Sequence, residues 1–252
     1  MKVDNFTLLS GSDILFPKAR LMVHQPRLKD IGLIGEQKYH SGVFFLDFNK
    51  KIMKMGESEL KRFSDFDIFM SVMSSTQPLK QRDAAFELLS LMFPYYNLEI
   101  NERTGLLFEN KETNELEGII GEAAFDDFRD IVRQIYCVNQ KEQKTSNYNP
   151  KDAMAKSIVA KLEKRQEKLS KQKGEDSSND GTDLLNRFAS LLSVGLQIPL
   201  NEIIDNYTVY QLRYSVKRYL LKYKSDIIMK AKLAGAQDLD KAEDWMKPIH
   251  SL

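Results

Sequence analysis

The chain is poor in the residues that most often carry chemistry. Its 252 residues include one cysteine and three histidines. A lone Cys137 excludes an intramolecular disulfide, which fits a reducing compartment. It follows Ile135 and Tyr136 at the end of an apolar stretch, so it reads as a core residue. None of His24, His40 and His250 stands three or four residues from another His or from Cys137. A zinc site needs three or four clustered ligands, so no metal site is predicted. Charge of one sign is also missing, with 37 Lys and Arg against 36 Asp and Glu. That balance argues against a chain that coats nucleic acid or anionic membrane. No uncharged apolar run is long enough to span a bilayer; the longest candidate, residues 213–231, is broken by Arg and Lys at almost every turn. The N-terminal MKVDNFTLLSGSDILF has no sustained apolar core of signal-peptide length. The chain is therefore read as cytoplasmic. There is no Walker lysine motif and no strand-linked GxGxxG, and Gly32-Leu33-Ile34-Gly35 lacks phosphate-loop spacing. Residues 115–122 are acidic without the alternating oxygen ligands of a calcium loop. No catalytic, cofactor-binding or metal-ligating residue is expected, and the reading is of a non-enzyme without cofactor.

What is present is an ordinary globular balance, 42% hydrophobic and 29% charged, enough for a real core. The fold class predicted is mainly α, a helical bundle with minor β-hairpins near the N-terminus and around residues 97–108. The predicted domains are a mostly helical 1–170 with small β elements, a flexible linker at 171–181, and a helical 182–252. SKQKGEDSSNDG, ending at residue 181, has no apolar residue, which is a linker composition. Such a linker lets the C-terminal helices move as a unit.

Local signals place the elements. Short apolar runs at residues 6–9, 14–16 and 20–24 around turn formers predict short strands or a hairpin. Pro26 suits the first turn of a helix, while Gly32, Gly35 and Gly42 argue against one continuous helix beyond it. Ser64-Asp65-Phe66-Asp67 predicts a helix start with acidic residues in the first turn, followed by a stripe of Phe66, Phe69 or Met70, and Met73. Pro78 opens the next helix and Pro94 ends it, with Ala84, Leu88 and Met92 (or Ala85 and Leu89) at helical spacing. Leu98 and Ile100, then a turn at residues 101–105, then residues 106–108 make the best hairpin signal. Phe125, Phe128, Val132 and Ile135 put one apolar face on a helix over residues 122–138, with Asp126, Asp127 and Asp130 expected on its wet face. Asn149-Pro150 opens a helix to about residue 173 with a narrow stripe of Met154, Ile158, Leu162 and Leu169.

The last sixty or so residues carry the clearest pattern. Leu184, Leu185, Phe188, Leu191 and Leu192 predict an amphipathic helix ending at Gly195. Thr208-Val209-Tyr210-Gln211 matches a capping box. From there Leu212, Val216, Tyr219, Tyr223 and Ile227 face one way and Arg213, Lys217, Arg218, Lys222 and Lys224 elsewhere, to a stop at Ala234-Gly235-Ala236. A short terminal helix carries Trp245. The basic, Tyr-rich face could hold phosphates and stack on bases, or Tyr could pack while Lys and Arg reach water; the absence of a wider basic footprint favours packing. Trp245 is either an interface anchor or a plug that docks the terminal helix. Tyr210, Tyr214 and Trp245 are the candidate partner-binding residues.

Two segments resemble a known family together. The first is His24-Gln25-Pro26-Arg27-Leu28-Lys29-Asp30-Ile31, then Ile34-Gly35-Glu36 and Tyr39. The second is Tyr207-Thr208-Val209-Tyr210-Gln211-Leu212, then Asp226-Ile227, Lys230-Ala231-Lys232-Leu233-Ala234-Gly235-Ala236, and Glu243-Asp244-Trp245-Met246-Lys247 with Ile249-His250. This pattern resembles the tail assembly chaperones of tailed phages and prophages of Gram-positive bacteria. The resemblance implies a non-enzymatic protein of the host cytoplasm, absent from the mature virion. It would bind the long helical tape measure protein and keep it soluble while tube subunits polymerise around it. Further partners it implies are the tail tube protein and a second copy of the chain. Many members come as a short form and a frameshifted long form, whereas this chain is one reading frame. Ten Met and the Tyr-rich tail suit a surface that re-packs against varied helices. The competing readings are a structural neck or tail adaptor, and a nucleic-acid-binding regulator using residues 207–224.

Overall fold

The computed structural model describes residues 1–47, 63–75, 80–138, 184–234, 244–247 and 249. The predicted helix over 150–173, the linker at 171–181, Pro78 and His250 lie outside these residues. Residues 1–138 and 185–252 form one compact unit, and residues 139–184 a second. The helices predicted as a separate C-terminal domain thus share a unit with the N-terminal part. Leu185, Leu192, Ile203, Leu212 and Val216 belong to the same buried cluster as Phe16, Phe69 and Phe128.

The chain opens with α1 (Asn5–Ser10), where strand was predicted for residues 6–9. The reason is local: the Asp4 carboxylate caps the helix by accepting from the Phe6 and Thr7 amides, and the helix stops at Gly11, φ 69°. The hairpin expectation holds for the rest, β1 (Ile14–Phe16) pairing antiparallel with β2 (Leu21–Val23). Helix α2 (Leu28–Ile34) follows Arg27, whose backbone amide donates to the Asp30 carboxylate at 2.9 Å, so Pro26 lies just before the helix and not in its first turn. Gly35, φ 85°, separates it from α3 (Glu36–Leu46); only glycine adopts that backbone without strain.

Helix α4 (Asp65–Met73) begins where predicted. Ser64 Oγ accepts the Asp67 amide (3.1 Å) and the Asp67 carboxylate accepts the Ser64 amide (2.8 Å), a reciprocal cap worth about 0.5–2 kcal/mol. Helix α5 (Lys80–Met92) buries both predicted rows, Ala84, Leu88 and Met92 with Ala85 and Leu89. A second sheet follows, of three strands where a hairpin was predicted: β3 (Tyr96–Asn101), β4 (Gly105–Asn110) and β5 (Leu116–Ile120), all antiparallel. The β4–β5 register shifts between Phe108 and Glu109. Helices predominate and the small β elements occur as expected, but with two antiparallel sheets the fold is mixed α and β where a helical bundle was predicted.

Helix α6 (Glu122–Tyr136) buries Phe125, Phe128, Val132 and Ile135 as its spacing requires. Each buried Phe of this kind contributes about 1.5–3 kcal/mol of transfer free energy. Aromatic rings join the layers: Phe93 lies 4.5 Å from Phe108, and Phe69 lies 4.8 Å from Phe125. The acidic face of α6 is not simply wet. Arg129, itself nearly buried, donates to Asp65 at 2.8 Å and to Asp126. Asp127 pairs with Lys18 and the Met1 amine, and Asp130 with the Met1 amine and Arg133. These pairs tie α6 to the chain's first residues and to α4.

Candidate partner-docking face

Three helices complete the unit: α7 (Leu184–Leu196), α8 (Leu200–Asn206) and α9 (Val209–Leu233). Helix α7 runs through Gly195, the predicted stop, and ends before Gln197, φ 56°. The helix passes that glycine because Tyr219 of α9 packs on it: a Cβ there would lie 2.5 Å from the Tyr219 ring.

The root of α9 is anchored as the sequence indicated. Thr208 Oγ1 accepts the Gln211 amide (3.3 Å) and Gln211 Oε1 accepts the Thr208 amide (2.7 Å). Gln211 Nε2 also donates to the Leu9 carbonyl at 2.8 Å, tying α9 to α1. Val209, Leu212 and Val216 are buried. The Leu28 amide donates to the Tyr207 carbonyl at 2.9 Å, and Arg27 bridges Thr208 antiparallel. The two segments that carry the family resemblance therefore meet in space, although about 180 residues separate them along the chain. Beside them, the Glu36 carboxylate accepts the Leu185 amide at 2.9 Å.

The three predicted partner-binding residues do not form one surface. Tyr210 is 7% exposed and lies in the core; burial raises its phenol above the usual range. Tyr214 is half-buried and stacks on Tyr210 with centroids 6.3 Å apart. Its hydroxyl accepts from Arg218 at 2.6 Å. The same guanidinium donates to the Trp245 carbonyl and, at 2.9 Å, to the Lys247 carbonyl. Lys222 sits 5.9 Å from the centre of the half-buried Trp245 ring. Residues 244–247 form a turn where a short helix was predicted. Arg218 holds that turn against α9 through its backbone carbonyls.

Sequence reasoning missed what lies on another face of α9. The stripe predicted to run through Tyr223 and Ile227 is buried only at its root. Beyond Tyr219 the helix displays Leu220 (48% exposed), Tyr223, Ile227, Met229 and Leu233 (85%) to solvent. Between α7 and α9 lies an open groove of about 410 Å³, lined by Phe188, Val216, Leu220 and Leu221 with Arg213, Lys217 and Lys224. Arg213 also donates to the Cys137 carbonyl at 3.3 Å. The spacing of 213, 216, 217, 220, 221 and 224 could have exposed this face, but only with α7 known to lie beside it.

Other polar groups are engaged locally. His24 Nδ1 lies 2.8 Å from Asp13, and His40 pairs with Glu36 one turn away at 3.4 Å. Among the described residues, no group of three or more His, Cys, Asp or Glu could hold a metal ion. Among them too, no helix is long and apolar enough to cross a membrane. No family model matches the chain, and no curated protein or solved structure matches it.

Proposed function

We propose that the protein is a tail assembly chaperone of a tailed phage or prophage of a Gram-positive host, one that holds the tape measure protein and does so without catalysis. The observation that carries this reading is the distal half of α9. Its root is locked into the core, while Leu220, Tyr223, Ile227, Met229 and Leu233 are offered to solvent. Leu220, Tyr223 and Ile227 lie along one face of that helix, and Met229 and Leu233 on the opposite one. Apolar side chains exposed in this number on a well-anchored helix mark a surface for another polypeptide. The meeting of residues 27–28 with residues 207–208 supports the reading as well, because it joins the two segments on which the family resemblance rests.

In this role the apolar stripes of a long helical tape measure protein are shielded in the host cytoplasm until tube subunits enclose them. The tail tube protein and a second copy of this chain are further candidate contacts, and the protein leaves before the virion is complete. The test is co-expression with the tape measure protein of the same phage. A complex that copurifies, together with absence of the protein from purified particles by mass spectrometry, is expected. No complex, and normal tails after deletion of the gene, would sink the proposal. Abundant protein in particles would instead identify a neck or tail adaptor.

A further inference from the structure

We infer that the free edge of β3 pairs antiparallel with the β3 edge of a second copy of this chain, joining the two three-stranded sheets into one. The sheet order is β3-β4-β5, so only β3 and β5 have outer edges. The outer edge of β5 is taken, because Ile119 donates to the Ala19 carbonyl at 3.3 Å. That of β3 is open. The Lys111 amide donates to the Tyr95 carbonyl at 3.0 Å, one step beyond the Tyr96–Asn110 pair. Bonded pairs alternate along an antiparallel ladder, so Asn97, Glu99 and Asn101 bond to β4. Leu98 and Ile100 turn their N–H and C=O groups outward, and among the described residues nothing bonds to those groups. Native edges are commonly shielded by Lys, Pro or a bulge. Strand β3, YNLEIN, has neither Lys nor Pro, and the register shift of this sheet lies between β4 and β5.

The sequence of the strand selects a copy of itself as the occupant. A two-fold pairing of this kind has one residue at its centre. Centred on Asn97, it lays Ile100 on the partner's Pro94, which has no amide to give. Centred on Glu99, it sets that carboxylate against the partner's Glu99, like charges directly opposite. Centred on Ile100, it lays Leu98 on the partner's Glu102, in the turn that leaves the strand. Centred on Leu98, the groups match. Leu98 exchanges backbone bonds with the partner's Leu98, and Ile100 donates to the partner's Tyr96 carbonyl. Asn97 then stands opposite the partner's Glu99, an amide donor beside a carboxylate. Both residues are exposed, and among the described residues neither side chain has a hydrogen bond. On the other face Leu98 and Ile100, each packed against the core, carry the apolar layer across the axis. Each copy has one open edge, so the assembly closes at two.

The paired stretch, Tyr96 to Ile100, is about 17 Å long. A contact of that size belongs at the weak end of specific interfaces, so the test spans concentration. Sedimentation of the full chain from about 10 µM to about 1 mM is expected to show monomer giving way to dimer and nothing larger. Over the same range, amide hydrogen exchange read by NMR should slow severalfold at Leu98 and Ile100. It should stay unchanged at Asn97 and Glu99, which β4 already holds. Asn97→Glu sets a carboxylate against the partner's Glu99 and should weaken the dimer at least tenfold. Asn97→Glu combined with Glu99→Lys should restore it. Residue 97 also faces Glu109 across the ladder, a repulsion that both variants share, so the comparison reads the dimer and not the fold. Monomer throughout, a dimer that leaves both amides unprotected, or growth beyond two copies overturns the inference. So does a dimer indifferent to Asn97→Glu, or one that the double variant fails to restore. Protection of these amides only after the tape measure protein is added would give the edge to that protein and overturn self-pairing. The inference does not rest on the chaperone reading, and retention of the tape measure protein by a strictly monomeric chain would leave that reading standing alone.

Discussion

Gly118 of β5 lies directly against the carbonyl oxygen of Ala19: a Cβ at Gly118 would approach that oxygen to 2.2 Å and Leu21 Cδ2 to 2.5 Å. The next residue, Ile119, donates its amide to the same oxygen at 3.3 Å. The first hairpin thereby joins the three-stranded sheet through backbone, and no side chain fits between.

Gly118→Ala is accordingly expected to destabilise the fold by about 1–3 kcal/mol, the usual cost of overpacking where the obstacle is main chain. Urea denaturation followed by far-UV circular dichroism measures it. An unchanged midpoint would mean that the two sheets do not depend on this contact.

Asp127 gives a pH prediction. Its carboxyl is held below the ordinary range by hydrogen bonds from Lys18 and from the Met1 amine. A carboxylate with a lowered folded pKa adds stability above its unfolded pKa, and that increment is lost as pH falls through the folded value. Asp127→Asn should therefore lower the melting temperature at neutral pH and flatten its fall on the acid side. The difference between the two proteins should shrink towards low pH. Melting curves from neutral pH down to about 3, below the ordinary Asp range, test this.

Cys137 is buried, and burial pushes its thiol up to about 12, against a smaller opposing effect of Arg213. The thiolate is the reactive form. Native protein at pH 8 is expected to resist iodoacetamide for hours and to alkylate within minutes in denaturant. Mass spectrometry of the intact chain counts the label. Rapid native labelling would show that the end of α6 opens readily.

Trp245 is the single tryptophan, so its fluorescence reports on one place. Arg218 holds its carbonyl and Lys222 faces its ring. Arg218→Ala should release residues 244–247 and shift the emission to longer wavelength, with little change in the overall melting temperature. An unshifted spectrum would show that the turn is held by other contacts.

The parts of this fold legible in the sequence are those settled within a few residues. Ser64 with Asp67 and Thr208 with Gln211 announce their helices because the capping partners lie three residues apart. Phe125, Phe128, Val132 and Ile135 announce a buried face because their spacing is helical. What stayed hidden depends on distant neighbours. Strand β5 contains Gly118 and Glu117, a weak strand signal; it forms because β4 and Ala19 supply its hydrogen bonds. Gly195 reads as a helix stop until Tyr219 is known to rest on it. The candidate site was half legible. The distal helix of the tail was identified from its pattern, yet Tyr210 was assigned to the surface and is buried. An aromatic ring suits a core or an interface equally well, and only the surrounding helices decide between them.

The clasp at the root of α9, where Thr208, Gln211 and Tyr207 engage each other and the chain's first thirty residues, fixes one end of the helix. Substitutions near that end strain the whole unit. Further along, Ile228 is buried, while Leu220, Tyr223, Ile227, Met229 and Leu233 are exposed and cost the fold little when changed. A lineage carrying this chain can rewrite those exposed positions to follow a changing partner while leaving the scaffold alone.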